Sequence, residues 1–320
     1  MANQLEKMEK ILLARKCSQC RQEGCNKGKA TCPVNIEKAS SSSSDITSDS
    51  TTSNTNVQTI TITFGDRAEN HTGMQSIGES AIEGYSHDDL FKISEWFSSK
   101  QFDSKIYDLT YNLNTVSEAV SEADSEADLQ STEKTPEAYI LIVKNGVNAF
   151  CDSADLFTEL KNLNWDTKAL MRGRVVNKHA RHNLCFCDYS QESDFENGRG
   201  TIVNLDLVPH LKSIKNGLSE IHTKNIDLQI EGNNYYDINK CGIGFHGDSE
   251  RKKVIGIRVG ASIPLVFQWY YKFQPISHKF KFDLESGDLY VMCSKAVGTD
   301  WKRSSIYTLR HAAGCEKYVK

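Results

Sequence analysis

The chain has 320 residues, 38% of them hydrophobic, with a mean hydropathy of −0.50 and a formal net charge of −4. That length allows one large domain or two smaller ones, and no run approaches the ~18 consecutive apolar residues of a membrane span. The charge is segregated: residues 1–38 carry +4, residues 39–135 carry −12 and residues 136–320 carry +4, so a polyanion would meet the two ends and be repelled by the middle.

In chain order, "MANQLEKMEKILLARK" places Leu5, Met8, Ile11 and Leu12 on one helical face, and its Lys and Glu residues interrupt the apolar core that a signal peptide would need. Of ten cysteines, four fall between residues 17 and 32 and the others are scattered. This is not a secreted disulfide framework; it implies a reducing intracellular compartment, cytoplasmic or nuclear. Cys17, Cys20, Cys25 and Cys32 form C-x2-C-x4-C-x6-C, a spacing that lets four thiolates surround one tetrahedral Zn(II); the alternative is four unrelated thiols. The segment resembles a zinc knuckle, departing from it by Cys25 in place of His and by two extra residues before the last Cys. Knuckles contact single-stranded nucleic acid or a protein, and Arg21, Lys27 and Lys29 suit the former.

Residues 39–58 are Ser/Thr-rich and nearly free of large apolar side chains, as in a flexible linker. "TITITFG" (59–65) alternates as a strand does, residues 88–97 have helical periodicity, and residues 114–134 repeat Ser-Glu-Ala as a solvated helix or a spacer. Residues 59–135 thus form an acidic, partly ordered region, and the main core is expected over 136–320. There "EAYILIVKNGVNAF" reads as a strand, a turn and a second short strand, followed by a helix capped by Ser153. The strand-like segments that follow, separated by Gly, Asn, Asp and Pro, argue for a sandwich or barrel with one or two helices at its start.

Two His-x-Asp sequences occur. His87-Asp88-Asp89 precedes a helical pattern, where the acids suit a first turn. His246-Gly247-Asp248 lies between strand-like segments, so its two polar side chains can share one side of a sheet. With a later His they would form the two-histidine, one-carboxylate triad of non-haem Fe(II) oxygenases. Beyond this, "NNYYDINKCGIGFHGDSE", "VIGIRVG", "ESGDLYVM" and "IYTLRHAAG" are similar to the AlkB-like branch of the Fe(II)/2-oxoglutarate dioxygenases. Asn234, Tyr236, His246, Asp248 and Glu250 meet its Asn-x-Tyr and His-x-Asp-x-Glu pattern, and Gly287-Asp288-Leu289 meets its Gly-Asp-Leu strand.

The resemblance covers roughly 136–320. It implies an α+β fold, a double-stranded β-helix (jelly-roll) barrel with flanking helices, that binds Fe(II) and 2-oxoglutarate. It implies that His246 and Asp248 hold iron with His311 as third ligand, that Asn234 and Tyr236 serve the co-substrate, and that Arg310, or else Lys317 or Lys320, grips its far carboxylate. Arg310 and His311 are neighbours and would point to opposite faces of a regular strand, so only one can line the barrel without a bulge. If Arg310 faces inward, Trp301 falls near the third ligand position. The implied reaction couples decarboxylation of 2-oxoglutarate to hydroxylation of a substrate carbon, and an N-methyl nucleobase in DNA or RNA would then lose formaldehyde. Arg181, His182, Tyr189 and Phe195 in a covering loop, Trp269 and Tyr271 on one strand face, and Arg251, Lys252 and Lys253 are candidates for contact with base or phosphate. A protein side chain as substrate, and an inert zinc-dependent binding module, stand as the competing readings.

Overall fold

Helix α1 (His87–Ser99) begins with a reciprocal cap, in which Ser86 and Asp89 satisfy each other's backbone N–H groups. In this computed structural model, which describes residues 57–113, 135–221 and 227–320, the helix follows strands β1 (Thr59–Gly65), β2 (Arg67–Glu69) and β3 (Ser76–Gly78). The N-terminal helical pattern, the four clustered cysteines, most of the Ser/Thr-rich linker and the Ser-Glu-Ala repeats lie outside the described residues.

After α1 come β4 (Ser104–Asp108), β5 (Tyr139–Val143) and helix α2 (Ser153–Lys161). The cap of α2 is Asp152 rather than Ser153, because the Asp152 carboxylate accepts from the N–H groups of Ala154 and Asp155. The second short strand expected near Asn148 is a 3-10 turn over Gly146–Ala149, entered through Asn145 at φ 53°. Strands β6 (Lys168–Met171) and β7 (Arg174–Asn177) form a separate hairpin, and β8 (His182–Cys187) and β9 (Ile202–Asn204) precede helix α3 (Pro209–Ile221). Nothing in the strand-oriented reading anticipated α3. Pro209 opens it, and it buries Leu211, Ile214 and Leu218, one per turn on one face.

The remaining elements are β10 (Gln229–Tyr235), β11 (Gly242–His246), β12 (Val254–Gly260), β13 (Ile263–Tyr271), β14 (Gln274–Pro275), β15 (Phe280–Leu284), β16 (Leu289–Met292), α4 (Ser294–Val297), β17 (Thr308–Gly314) and α5 (Glu316–Val319). They make a mixed α+β protein that is mostly sheet. One sheet of eight strands runs β4-β5-β16-β12-β1-β10-β8-β9, and one of five runs β11-β17-β13-β14 with β15 paired to β13.

The expected division at residue 136 is replaced by one compact unit over Thr55–Lys320. The reason is β1, which lies between β10 and β12 and is antiparallel to both. Its alternation serves two environments. Ile60, Ile62 and Phe64 enter the main hydrophobic core, while Thr61 and Thr63 line a cavity on the other face. A central strand cannot be removed without unpairing two neighbours, so Ile62→Ala should lower stability by about 3 kcal/mol, read as a fall in the denaturant midpoint.

Candidate metal centre

The antiparallel register of β11 on β17 sets His246 directly opposite His311, with a bulge between Ile243 and His246. The rings meet edge to face at 4.5 Å between centroids. Beyond the end of β11 the chain turns at Gly247, where any Cβ would collide with the Gly298 carbonyl, and the Asp248 N–H donates to the Val297 carbonyl at 3.0 Å. The turn returns the Asp248 carboxylate to the histidines: Oδ1 is 3.5 Å from Nε2 of His246 and 3.5 Å from Nε2 of His311. One ligand atom from each residue lies within 4.8 Å of the other two, and among the described residues this is the group able to hold a metal ion.

The protonation states suit a cation. Burial, with His311 beside it, pushes the His246 imidazole down to about 4, so the ring is neutral near neutrality. Its Nδ1 lies 2.8 Å from the Gly244 carbonyl, which favours the proton there and leaves the Nε2 lone pair facing Asp248. Burial opposes ionisation of Asp248, but hydrogen bonding to His311 and the nearby charge of Arg251 outweigh it and hold the carboxyl well below the usual carboxylate range. Arg251 is itself buried, 3.8 Å from the second Asp248 oxygen and ion-paired with Glu231 and Glu250. Glu231 accepts from Asn233 Nδ2 at 3.1 Å, and Asn233 Oδ1 accepts from Arg181 Nε at 2.6 Å. The Asp248 carboxylate is thus tied to a buried polar chain along the cavity wall.

The cavity, about 370 Å³, lies between the two sheets and is lined from both. Glu69, which also lines it, lacks a side-chain hydrogen bond, and burial, with Glu250 and Glu231 nearby, pushes its pKa up to about 7. Trp301 lines the cavity beside Gly247, and its buried indole N–H has no partner.

The structure brings His246, Asp248 and His311 together and places the expected co-substrate residues elsewhere. Arg310 faces away from the cavity, its guanidinium 4.2 Å from the Tyr270 ring centroid and donating to the Trp301 carbonyl at 3.2 Å. Lys317 is exposed on α5, 4.7 Å from the Tyr318 ring centroid. Asn234 accepts from Gln58 at 2.9 Å, and Tyr236 donates to the His179 carbonyl at 3.0 Å and stacks on His182; neither lines the cavity, which is reached instead by Asn233 and Tyr235 one residue earlier.

Other expected contacts are also absorbed by the protein. Trp269 is fully buried and donates to the Leu109 carbonyl at 2.7 Å, so it is core rather than a stacking platform. Arg251 is buried among carboxylates and Lys253 is buried over the Tyr85 ring, while half-buried Lys252 donates to the Ile82 carbonyl. Of the covering loop, Arg181 lines the cavity and Tyr189 is exposed. Cavity residues that sequence reasoning missed include Thr61, Arg258 and Tyr290; a lone arginine inside the apolar run "VIGIRVG" was the available signal.

The fold and site define a sheet-rich α+β protein with two imidazoles and a carboxylate converging in a cavity. No family model matches the chain. It is 45% identical over 263 residues to an uncharacterized protein of Acanthamoeba polyphaga mimivirus, a match spanning 82% of this chain and 98% of the viral one, and it belongs to the same family. Among the described residues no helix is long and apolar enough to cross a membrane.

Replacing Arg251 by Met strands Glu231 and loosens Asp248. Metal affinity should fall by about 10- to 100-fold in a Mn(II) titration followed by EPR, with a stability loss of about 3–5 kcal/mol.

Proposed function

We propose that the protein is an AlkB-like Fe(II)- and 2-oxoglutarate-dependent dioxygenase that oxidises, and by that route demethylates, a nucleobase. The observation that carries this reading is the convergence of His246, Asp248 and His311 on one point of an interior cavity. Two imidazoles and one carboxylate converging on one point fit ferrous ion and would leave its remaining positions open toward the cavity. Strand order supports a jelly-roll reading. The chain alternates between the sheets through β10, β11, β12 and β13, returns through β16 and β17, and the slot between β10 and β12 is filled by β1.

Bound iron and 2-oxoglutarate would supply the oxidation: one dioxygen atom goes to the substrate carbon and the other to succinate, with release of CO₂. The chain's own part is to hold and orient. His246, Asp248 and His311 would hold the metal, His311 and Arg251 favour the ionised form of Asp248, and the two sheets wall the cavity. A zinc ion held by Cys17, Cys20, Cys25 and Cys32 belongs to the same proposal and rests on their spacing alone.

The nucleic-acid substrate is supported by charge on and beside the β6–β7 hairpin. Between Asp166 and Asp188 the chain carries Lys168, Arg172, Arg174, Lys178 and Arg181 and no carboxylate. Lys168, Arg172 and Arg174 are exposed on the β6–β7 hairpin and have no side-chain partner among the described residues. Both feet of the hairpin are tied to the cavity residue Asn70, which donates to Asp166 at 2.8 Å and accepts from Lys178 at 2.8 Å. An arm of this kind suits phosphates flanking a base that enters the cavity.

With Fe(II), 2-oxoglutarate and methylated single-stranded DNA or RNA, the chain should form succinate and formaldehyde. His246→Ala and His311→Ala should abolish both products while the melting transition persists. Formaldehyde from a methylated peptide instead would favour a protein substrate, and full activity in His246→Ala would refute the site. Replacing Lys168, Arg172 and Arg174 by Ala should weaken binding of a single-stranded oligonucleotide and reduce the slope of log K against log salt by about 2, at roughly 0.7 per phosphate contact.

A further inference from the structure

The cavity wall formed by β1, β10, β12 and β16 carries four polar groups that the protein leaves wholly or partly without partners. Arg258, in the middle of β12, is 1% exposed. The single side-chain hydrogen bond of its guanidinium runs from Nη1 to the Ile263 carbonyl; Nε has none, and no carboxylate pairs with it among the described residues. Asp288 is committed elsewhere, to Lys144 and to the N–H groups of Asn145 and Glu285. Thr61 is the register partner of Arg258 on β1, and its buried Oγ1 has no hydrogen bond. Tyr235 and Tyr290, 4% exposed each, also line the cavity and their hydroxyls have no protein partner. Tyr290 reaches this position by crossing Gly256, its register partner, where any Cβ would collide with the phenol.

A buried cation without a counter-ion is costly, and a fold that retains one beside three idle hydroxyls is arranged for an anion. A guanidinium presents a planar fork matched to a carboxylate, and hydroxyls can donate to the same oxygens. Burial raises the pKa of Tyr235 and pushes that of Tyr290 up to about 12, so both remain protonated donors.

We propose that Arg258, with Thr61, Tyr235 and Tyr290, is the carboxylate-binding end of the cavity and takes the far carboxylate of a dicarboxylate co-substrate whose keto-acid end meets the His246, Asp248 and His311 site. The assignment rests on the 2-oxoglutarate reading for the identity of the acid, but not for the existence of the anion cradle. It gives the anchoring role to a residue of β12 and relieves Arg310 and Lys317 of it. It also selects for length: a monocarboxylic keto acid such as pyruvate leaves Arg258 unpaired.

Two titrations of the full chain test this, 2-oxoglutarate into the Mn(II)-loaded protein by calorimetry and glutarate into the metal-free protein by ligand-observed NMR. Arg258→Gln should weaken both by about tenfold or more, while Mn(II) affinity measured by EPR stays within about twofold. Should Arg258→Gln fail to fold, Tyr290→Phe and Thr61→Val carry the comparison, each with a smaller loss in the same direction. Unchanged affinities in the variants, or an unmodified chain that binds neither acid, would overturn the proposal. If glutarate binding depends on Arg258 but Mn(II) leaves 2-oxoglutarate affinity unaltered, the cradle stands and the metal reading falls.

Discussion

The pairing of β11 with β17 is the constraint on which the site depends. It sets two imidazoles against each other across a strand pair, and a glycine turn then brings a carboxylate back to within 3.5 Å of both. Such a cluster is expensive in water-free surroundings, because a buried carboxylate must be stabilised by charge or hydrogen bonds. Hydrogen bonding to His311 provides this first and the charge of Arg251 adds to it, and Arg251 in turn requires Glu231 and Glu250, so the polar chain along the wall supports the ionised Asp248. The backbone contact between Gly247 and Gly298 locks the turn from behind, linking the site to the loop after α4.

Against this polar pole the cavity sets a second one. Thr61 from β1, Tyr235 from β10, Arg258 from β12 and Tyr290 from β16 come from four adjacent strands of the eight-stranded sheet, whereas His246 and His311 come from the other sheet. The two poles therefore line the cavity from different sheets. That β1 contributes to the site explains its sequence: the Ile and Phe positions of "TITITFG" build core, and Thr61 and Thr63 remain polar because they face the cavity.

Much of this was legible from residue patterns, and what was not has physical causes. His246-x-Asp248 could be singled out because its flanks alternate as strands do, while His87-x-Asp89 sits in a helix cap, as its context suggested. Register was the weak point. "NNYY" offers two Asn-x-Tyr pairs offset by one residue, and β10 is buried on both faces, so polarity gives no sign of which pair looks into the cavity. At Arg310 and His311 strand alternation stated the choice, and the pairing partners of β17 decided it, placing the arginine among aromatic rings and the histidine beside Asp248. Arg258 was overlooked because a charge inside an apolar strand contributes little to periodicity, although an arginine that cannot reach solvent is itself a sign of a ligand. The central position of β1 was beyond local patterning, since its partners lie more than a hundred residues away.

The central claim is that His246, Asp248 and His311 act together as one metal site, and anomalous diffraction from crystals soaked in Mn(II) without oxygen tests it most directly. The account predicts a single strong peak within bonding distance of Nε2 of both histidines and a carboxylate oxygen of Asp248, facing the cavity. A fully soaked crystal with no peak there, or with manganese bound by other residues, would contradict it.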